Sequence, residues 1–204
     1  VEDGAIFYTT SDTETIVQLI AKSKRPKTID KVVEAIFQIQ GGYALVMLTQ
    51  NSLIGVRDPY GIRPLVIGKL GKSYVLASET CALDIIGAKF LRDVENGEII
   101  LIEKDELTSI KPFPPKKIRP CVFEYIYFAR PDSIIDNKTA YEHRKSIGVE
   151  LAKENDVDAD IVVPVPDSGN AAALGYSQHL KMNYEHGLIR NHYVGRTFIE
   201  PSQK

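Results

Sequence analysis

Apolar positions recur at helical spacing twice near the start of the chain. In SDTETIVQLIAKS, Ile16, Val17, Leu19 and Ile20 follow Ser11 and Glu14, whose spacing is that of a capping box, so a helix is predicted to begin here. Ile29, Val32, Val33, Ile36 and Phe37 then fall at i, i+3, i+4, i+7 and i+8, predicting an amphipathic helix capped by Thr28 and ended by Gly41-Gly42. GAIFYTT, ahead of the first helix, reads as a strand. Beyond the second, the period shortens. YALVMLT, SLIGV, PLVIG and SYVLAS are β-rich runs separated by the turn chemistry of QN, RDPYG and LGK, and together they predict an antiparallel meander. A short helix from Thr80 to Ile86 precedes two more strands, EIILIE and LTSIK, joined near Lys104-Asp105.

The stretch KPFPPKKIRP is too rich in proline for a helix or a central strand, which places a domain boundary there, with residues 1–112 before it and 113–204 after. In the second part a helix from Tyr141 to Glu154 leads to a strand at Asp160 to Val165. An alanine-rich helix follows, and HGLIR is a candidate further strand. This β-α alternation predicts a parallel sheet.

Composition narrows the class. The 204 residues are 44% hydrophobic, with a formal charge of −2, which supplies an ordinary core but no electrostatic footprint for nucleic acid or an anionic membrane. No apolar run approaches the roughly 18 residues of a membrane span. Two cysteines, Cys81 and Cys121, form neither a disulfide framework nor a local metal motif, and fit a reducing, cytoplasmic setting. The chain opens without Met, inside an expected strand, and stops at IEPSQK, so it reads as a piece of a longer enzyme.

Candidate chemistry concentrates in DADIVVPVPDSGNAAALGY. The nearly all-apolar IVVPVP suits a parallel strand buried on both faces, and Ala171 to Ala173 let the next helix sit close. The loop Asp167-Ser168-Gly169 therefore lies at a strand's C-terminal edge, where α/β sheets bind ligands and helix N-termini attract anions. Asp167 and Ser168 add hard oxygens of the kind Mg²⁺ takes; a tight turn with a capping Ser or Asn is the competing reading. Downstream, IRNHYVGRTFIEP gathers Arg190, His192, Tyr193, Arg196 and Thr197, either as a phosphate-binding loop or as a polar surface loop. Asp12 either complements the helix dipole or faces a ligand's ammonium group. Arg57 and Arg63 read as rim charges, Arg130 and Asp132 as a local ion pair, and Cys81 and Cys121 as core thiols.

VRDPYGIRPLVIG, SETCALD, CVFEYIYFARPDS, PVPDSGNAAALGY and RNHYVGRTFIEP, taken in order, resemble the glutamine phosphoribosylpyrophosphate amidotransferases. The resemblance implies a mixed α+β and α/β chain: the later part of an N-terminal nucleophile (Ntn) hydrolase αββα sandwich, then the first part of a type I phosphoribosyltransferase domain. It implies an enzyme in which glutamine supplies ammonia that displaces pyrophosphate from phosphoribosylpyrophosphate (PRPP), giving 5-phosphoribosylamine at the opening of purine synthesis. By the same resemblance Asp12 receives the glutamine α-amino group, while Asp167, Ser168, Gly169 and Arg196 meet PRPP or pyrophosphate. Ser168 is also the Mg²⁺-associated position, and Cys121 corresponds to a [4Fe–4S] ligand in the cluster-containing branch. His192 stands where many relatives have Arg. The family's nucleophilic cysteine and acidic PRPP motif are not in this stretch, so no catalytic residue is assigned and the stretch alone is expected to be inactive. Purine-nucleotide inhibition and homo-oligomerisation are implied as well. Alternatives are a sugar-phosphate-aminating amidotransferase and a non-catalytic binding homologue.

Overall fold

The computed structural model describes residues 6–193, and the chain forms two compact units that divide between Pro120 and Cys121. In the first unit, α1 (Asp12–Lys22) and α2 (Thr28–Ile36) occupy the two stretches of helical spacing. Their starts differ from the sequence expectation. Ser11 is the N-cap of α1 but makes no side-chain cap bond. Glu14 instead accepts the Tyr8 N–H, the Thr9 N–H and the Thr9 hydroxyl at 2.8, 2.8 and 2.6 Å. Three donors upstream outcompete the single N–H that a capping box offers, so the carboxylate holds the incoming segment to the helix start. That segment carries no strand at residues 6–8. Thr28 is the first helical residue of α2 rather than its cap, and the helix ends at Ile36, well before Gly41.

Eight further elements complete the first unit: β1 (Ala44–Leu48), β2 (Leu53–Arg57), β3 (Val66–Leu70), β4 (Ser73–Ala77), α3 (Thr80–Ile85), β5 (Lys89–Asp93), β6 (Ile99–Glu103) and β7 (Glu106–Ile110). The expected single meander is instead two antiparallel sheets, ordered β1-β2-β6-β7 and β4-β3-β5. What ejects the chain from the first sheet after β2 is the Arg57-Asp58 turn. Asp58 is wholly buried, and its carboxylate accepts the N–H groups of Tyr60 and Ile62, both at 2.9 Å. Arg57, expected as a rim charge, donates to the carbonyls of Arg63, Val94 and Gly61. A short turn within one sheet would leave these groups unpaired, so the turn prescribes the crossover.

Every strand of this unit but β5 then serves two cores, as period-2 alternation allows. Ile54, Val56 and Ile99 pack with Val32 and Ile36 of α2, and Ile20 of α1 lies against them. The opposite faces of β2 and β6, through Leu53, Ile100 and Ile102, meet Leu65, Ile67 and Leu76 of the second sheet. Val66 and Val75 face outward again onto Leu83 of α3. The order is helices, sheet, sheet, helix, the αββα sandwich anticipated above. Tyr43 sits in the helix-side core, where burial and the neighbouring Asp58 charge push its hydroxyl up to about 12.

The turn between β5 and β6 holds a fully buried Glu98, which takes Arg92 through paired 2.8 Å bonds, the Ser109 hydroxyl and the Glu95 N–H. Burial works to raise its pKa, but these donors outweigh it and keep the carboxyl below the usual range. The proline-rich stretch after β7 has no helix or strand, and Arg119 ties it to Tyr60 by a 2.9 Å backbone bond and by stacking over the ring.

The second unit opens with a π-helical turn (Glu124–Phe128), then the hairpin β8 (Ile134–Ile135) and β9 (Lys138–Thr139). α4 (Ala140–Glu154) starts at a complete Thr139/Glu142 capping box. Its buried Arg144 donates to the Tyr125 and Ala129 carbonyls, which satisfies acceptors at the end of the π-helical turn. β10 (Ile161–Val162), α5 (Gly169–Leu180) and β11 (Asn183–Tyr184) follow, with β10 and β11 parallel as the alternation required. β10 is shorter than expected because Pro164 and Pro166 cannot donate to a ladder. HGLIR forms no strand; its expected partner role falls to Asn183 and Tyr184.

α4 and α5 touch backbone to backbone. A Cβ at Gly148 would overlap the Ala172 carbonyl, and one at Gly175 the Lys145 carbonyl. Gly148→Ala or Gly175→Ala should therefore lower the stability of this unit by about 2–3 kcal/mol, read as a fall in urea midpoint. Gly169→Ala, whose added Cβ would come no nearer than 4.0 Å to Val165, is expected to change it by less than about 1 kcal/mol. An unchanged midpoint for Gly148→Ala contradicts the close crossing.

Candidate functional site

The parallel pair β10 and β11 sends two segments out from its C-terminal edge. From β10 the chain runs through Val163 to Asp167 and enters α5 at Gly169, and the Pro166–Asp167 peptide is cis. Ser168 holds the N-cap position with helical dihedrals, φ −65° and ψ −30°, and makes no side-chain cap bond. The capping role considered from sequence is thus not what its hydroxyl performs. Backbone bonds close the loop from within: the Gly169 N–H donates to the Val165 carbonyl at 3.1 Å and the Asn170 N–H to that of Asp167 at 3.3 Å.

Two features of this loop escaped the sequence reading. The Asn170 side-chain oxygen is buried with no hydrogen-bond partner, which leaves a desolvated acceptor beside the helix start. Its one sequence signal is its place as the only amide side chain in the glycine- and alanine-rich opening of α5. Asp167, exposed, accepts the Arg190 guanidinium at 2.7 Å. Arg190 arrives from the segment after β11, so residues 23 positions apart meet at the strand edge. His192 and Tyr193 are exposed, whereas Arg196 and Thr197 lie outside the described residues.

Asp167, Ser168 and Asn170 present hard oxygens of the type Mg²⁺ prefers. Among the described residues no group of three or more His, Cys, Asp or Glu could hold a metal ion. Mg²⁺ suits such a sparse set, because it keeps waters and is held by one or two protein oxygens together with a ligand's phosphates. Of the thiols described, Cys121, the position that corresponds to a cluster ligand, is partly buried just before the π-helical turn, and Cys81, in the first unit, is buried beside Glu79.

In the first unit Asp12 is exposed in the first turn of α1. Because Glu14 is taken by Tyr8 and Thr9, Asp12 is the first-turn carboxylate that remains for the helix dipole or for a cationic group. The Arg130–Asp132 pair forms as expected at 2.9 Å, with both side chains exposed, and its chief effect is to lower the Asp132 pKa through that hydrogen bond.

Residues 1–84 match the glutamine amidotransferase domain family. Over 98% of its length the chain is 56% identical to amidophosphoribosyltransferase of Rhizobium etli, covering 42% of that protein. Over 98% it is 46% identical to amidophosphoribosyltransferase of Bacillus subtilis, again covering 42%. A solved structure of glutamine PRPP amidotransferase from B. subtilis, complexed with ADP and GMP, superposes with a TM-score of 0.92 at 45% identity, covering 99% of this chain and 44% of that one. The chain thus spans about two-fifths of the curated relatives it matches. Likeness in sequence and in fold to amidophosphoribosyltransferases runs through both units.

Proposed function

We propose that the protein carrying this chain converts glutamine and PRPP to 5-phosphoribosylamine, glutamate and pyrophosphate, the first committed step toward purines. The supporting observation is that an αββα unit and a strand-loop-helix join of the kind that suits an anion occur in one chain, with 56% identity to an amidophosphoribosyltransferase across both. In this reading the first unit holds glutamine, with Asp12 receiving its α-ammonium at the start of α1. The second unit holds PRPP. Gly169 and the start of α5 lie against the pyrophosphate, Ser168 offers its uncapped hydroxyl, and Asp167 and Asn170 supply further oxygens toward Mg²⁺. When bound, Mg²⁺ would offset charge gathering on the leaving pyrophosphate. Arg196 is proposed as a phosphate contact.

Other expectations are carried as proposals. The B. subtilis relative is described with ADP and GMP bound, and a second solved relative as the allosteric regulatory enzyme of purine biosynthesis. Both favour purine nucleotides as regulators here. Homo-oligomerisation and a cytoplasmic location follow from the family resemblance; no helix among the described residues is long and apolar enough to cross a membrane. A [4Fe–4S] cluster at Cys121 would need thiolates other than those described.

The loop assignment is tested at Ser168. In the intact protein Ser168→Ala should weaken PRPP use roughly tenfold to a hundredfold with either nitrogen source, since a hydrogen bond to a charged group is worth about 1.5–3 kcal/mol. Unaltered PRPP saturation at several Mg²⁺ concentrations contradicts it. For Asp12→Asn, glutamine-dependent turnover should fall while turnover with supplied ammonia is largely kept. Equal loss with both nitrogen sources would make Asp12 a folding residue.

A further inference from the structure

The start of α1 is held by polar bonds rather than by packing. No residue of α1 is buried, and its N-cap, Ser11, makes no side-chain cap bond. What fixes the helix end is a short chain of bonds built on Glu14. One carboxylate oxygen accepts the Tyr8 N–H at 2.8 Å; the other accepts the Thr9 N–H at 2.8 Å and the Thr9 hydroxyl at 2.6 Å. The Thr9 hydroxyl oxygen in turn accepts the Ser11 N–H at 3.3 Å. The helix closes the ring from its own side, because the Glu14 N–H donates to the Ser11 carbonyl at 3.2 Å. Ser11, the residue that leads into Asp12, is therefore bonded at both its N–H and its carbonyl.

One turn further on, the Gln18 side-chain amide donates to the Ile6 carbonyl at 3.1 Å. Glu14 and Gln18 stand four apart, so a single face of α1 holds the incoming segment. Asp12 lies about 200° round the helix from Glu14 and is left exposed. Only an ionised carboxylate suits the Glu14 position, since both of its oxygens face donors. The Thr9 and Tyr8 bonds accordingly hold its carboxyl below the usual range. We propose that Glu14 is a positioning residue for glutamine: through Thr9 it fixes the turn from Tyr8 to Ser11 and so aims Asp12 at the substrate's α-ammonium. The proposal rests on the reading of Asp12 as the ammonium acceptor. It gives Glu14 no contact with glutamine and no part in proton transfer.

The test is glutamine saturation of the intact protein, with turnover on supplied ammonia as the internal control. Glu14→Gln sets an amide –NH₂ against N–H donors. It should raise the glutamine KM about fivefold to tenfold, with kcat and ammonia-dependent turnover within about twofold of the unsubstituted protein. Thr9→Val removes only the hydroxyl link and should raise KM about threefold, whereas Thr9→Ser keeps the hydroxyl and should stay within about 1.5-fold. In an Asp12→Asn background, Glu14→Gln should lower kcat/KM for glutamine by less than about twofold further, since no carboxylate is left to aim. An unchanged KM for Glu14→Gln overturns the proposal, as do equal effects of Thr9→Val and Thr9→Ser. The same loss from Glu14→Gln in both backgrounds would mean that it acts other than through Asp12, and overturns it as well. Equal loss with glutamine and with ammonia, together with a lowered urea midpoint, would make Glu14 a folding residue instead. If Asp12→Asn by itself leaves glutamine use unchanged, the reading of Asp12 fails, and the positioning role with it.

Discussion

Where α4 crosses α5, Gly148 and Gly175 bring the two helices to backbone contact, and the second unit depends on that distance. A helix pair ordinarily stands 8–10 Å apart according to its side chains, and removing Cβ atoms on both sides lets it close further. The start of α5 is also the end of the Asp167-Ser168 loop, so the crossing sets where the helix N-terminus stands relative to β10 and β11. Through Arg144 the same α4 fixes the carbonyls that close the π-helical turn. Packing and site geometry are therefore one constraint in this unit.

A comparable dependence governs the first unit, where a polar turn does what the glycines do in the second. Buried Asp58 gathers N–H groups while Arg57 gathers carbonyls, and their combined demands carry the chain from one sheet to the other. Only after that crossover can alternate residues of β2 and β6 face α2 on one side and the second sheet on the other. Gly55 completes the fit, since a Cβ there would meet Leu76 Cδ1 at 2.7 Å. Asp12 is exposed at the start of α1, the helix that closes the outer layer of this unit.

The helices and most strands were legible because their apolar spacing reports a single face or a strict alternation. Sheet partition was not, because period 2 says that a strand has two faces and nothing about which sheet it joins. β5 was missed since KFLRD mixes charges with Phe90 and Leu91, which remain exposed. Glu14 misled for a different reason: its spacing from Ser11 suited a cap, but better donors lay upstream at Tyr8 and Thr9. In the site, Asp167 and Ser168 could be chosen from the chemistry of a strand-loop-helix join. The Asn170 oxygen and the Arg190 partner could not, because burial and contacts at a separation of 23 residues exist only once the sheet has formed.

The central claim is that a glutamine-binding unit and a pyrophosphate-binding unit serve one reaction. The most direct measurement follows pyrophosphate and glutamate together in the purified intact protein, supplied with PRPP, Mg²⁺ and either glutamine or ammonia. The account predicts pyrophosphate release with both nitrogen sources, and glutamate formed in equal amount to pyrophosphate when glutamine is the donor. Glutamate formation without pyrophosphate release, or amination of a hexose phosphate in place of PRPP, would contradict it.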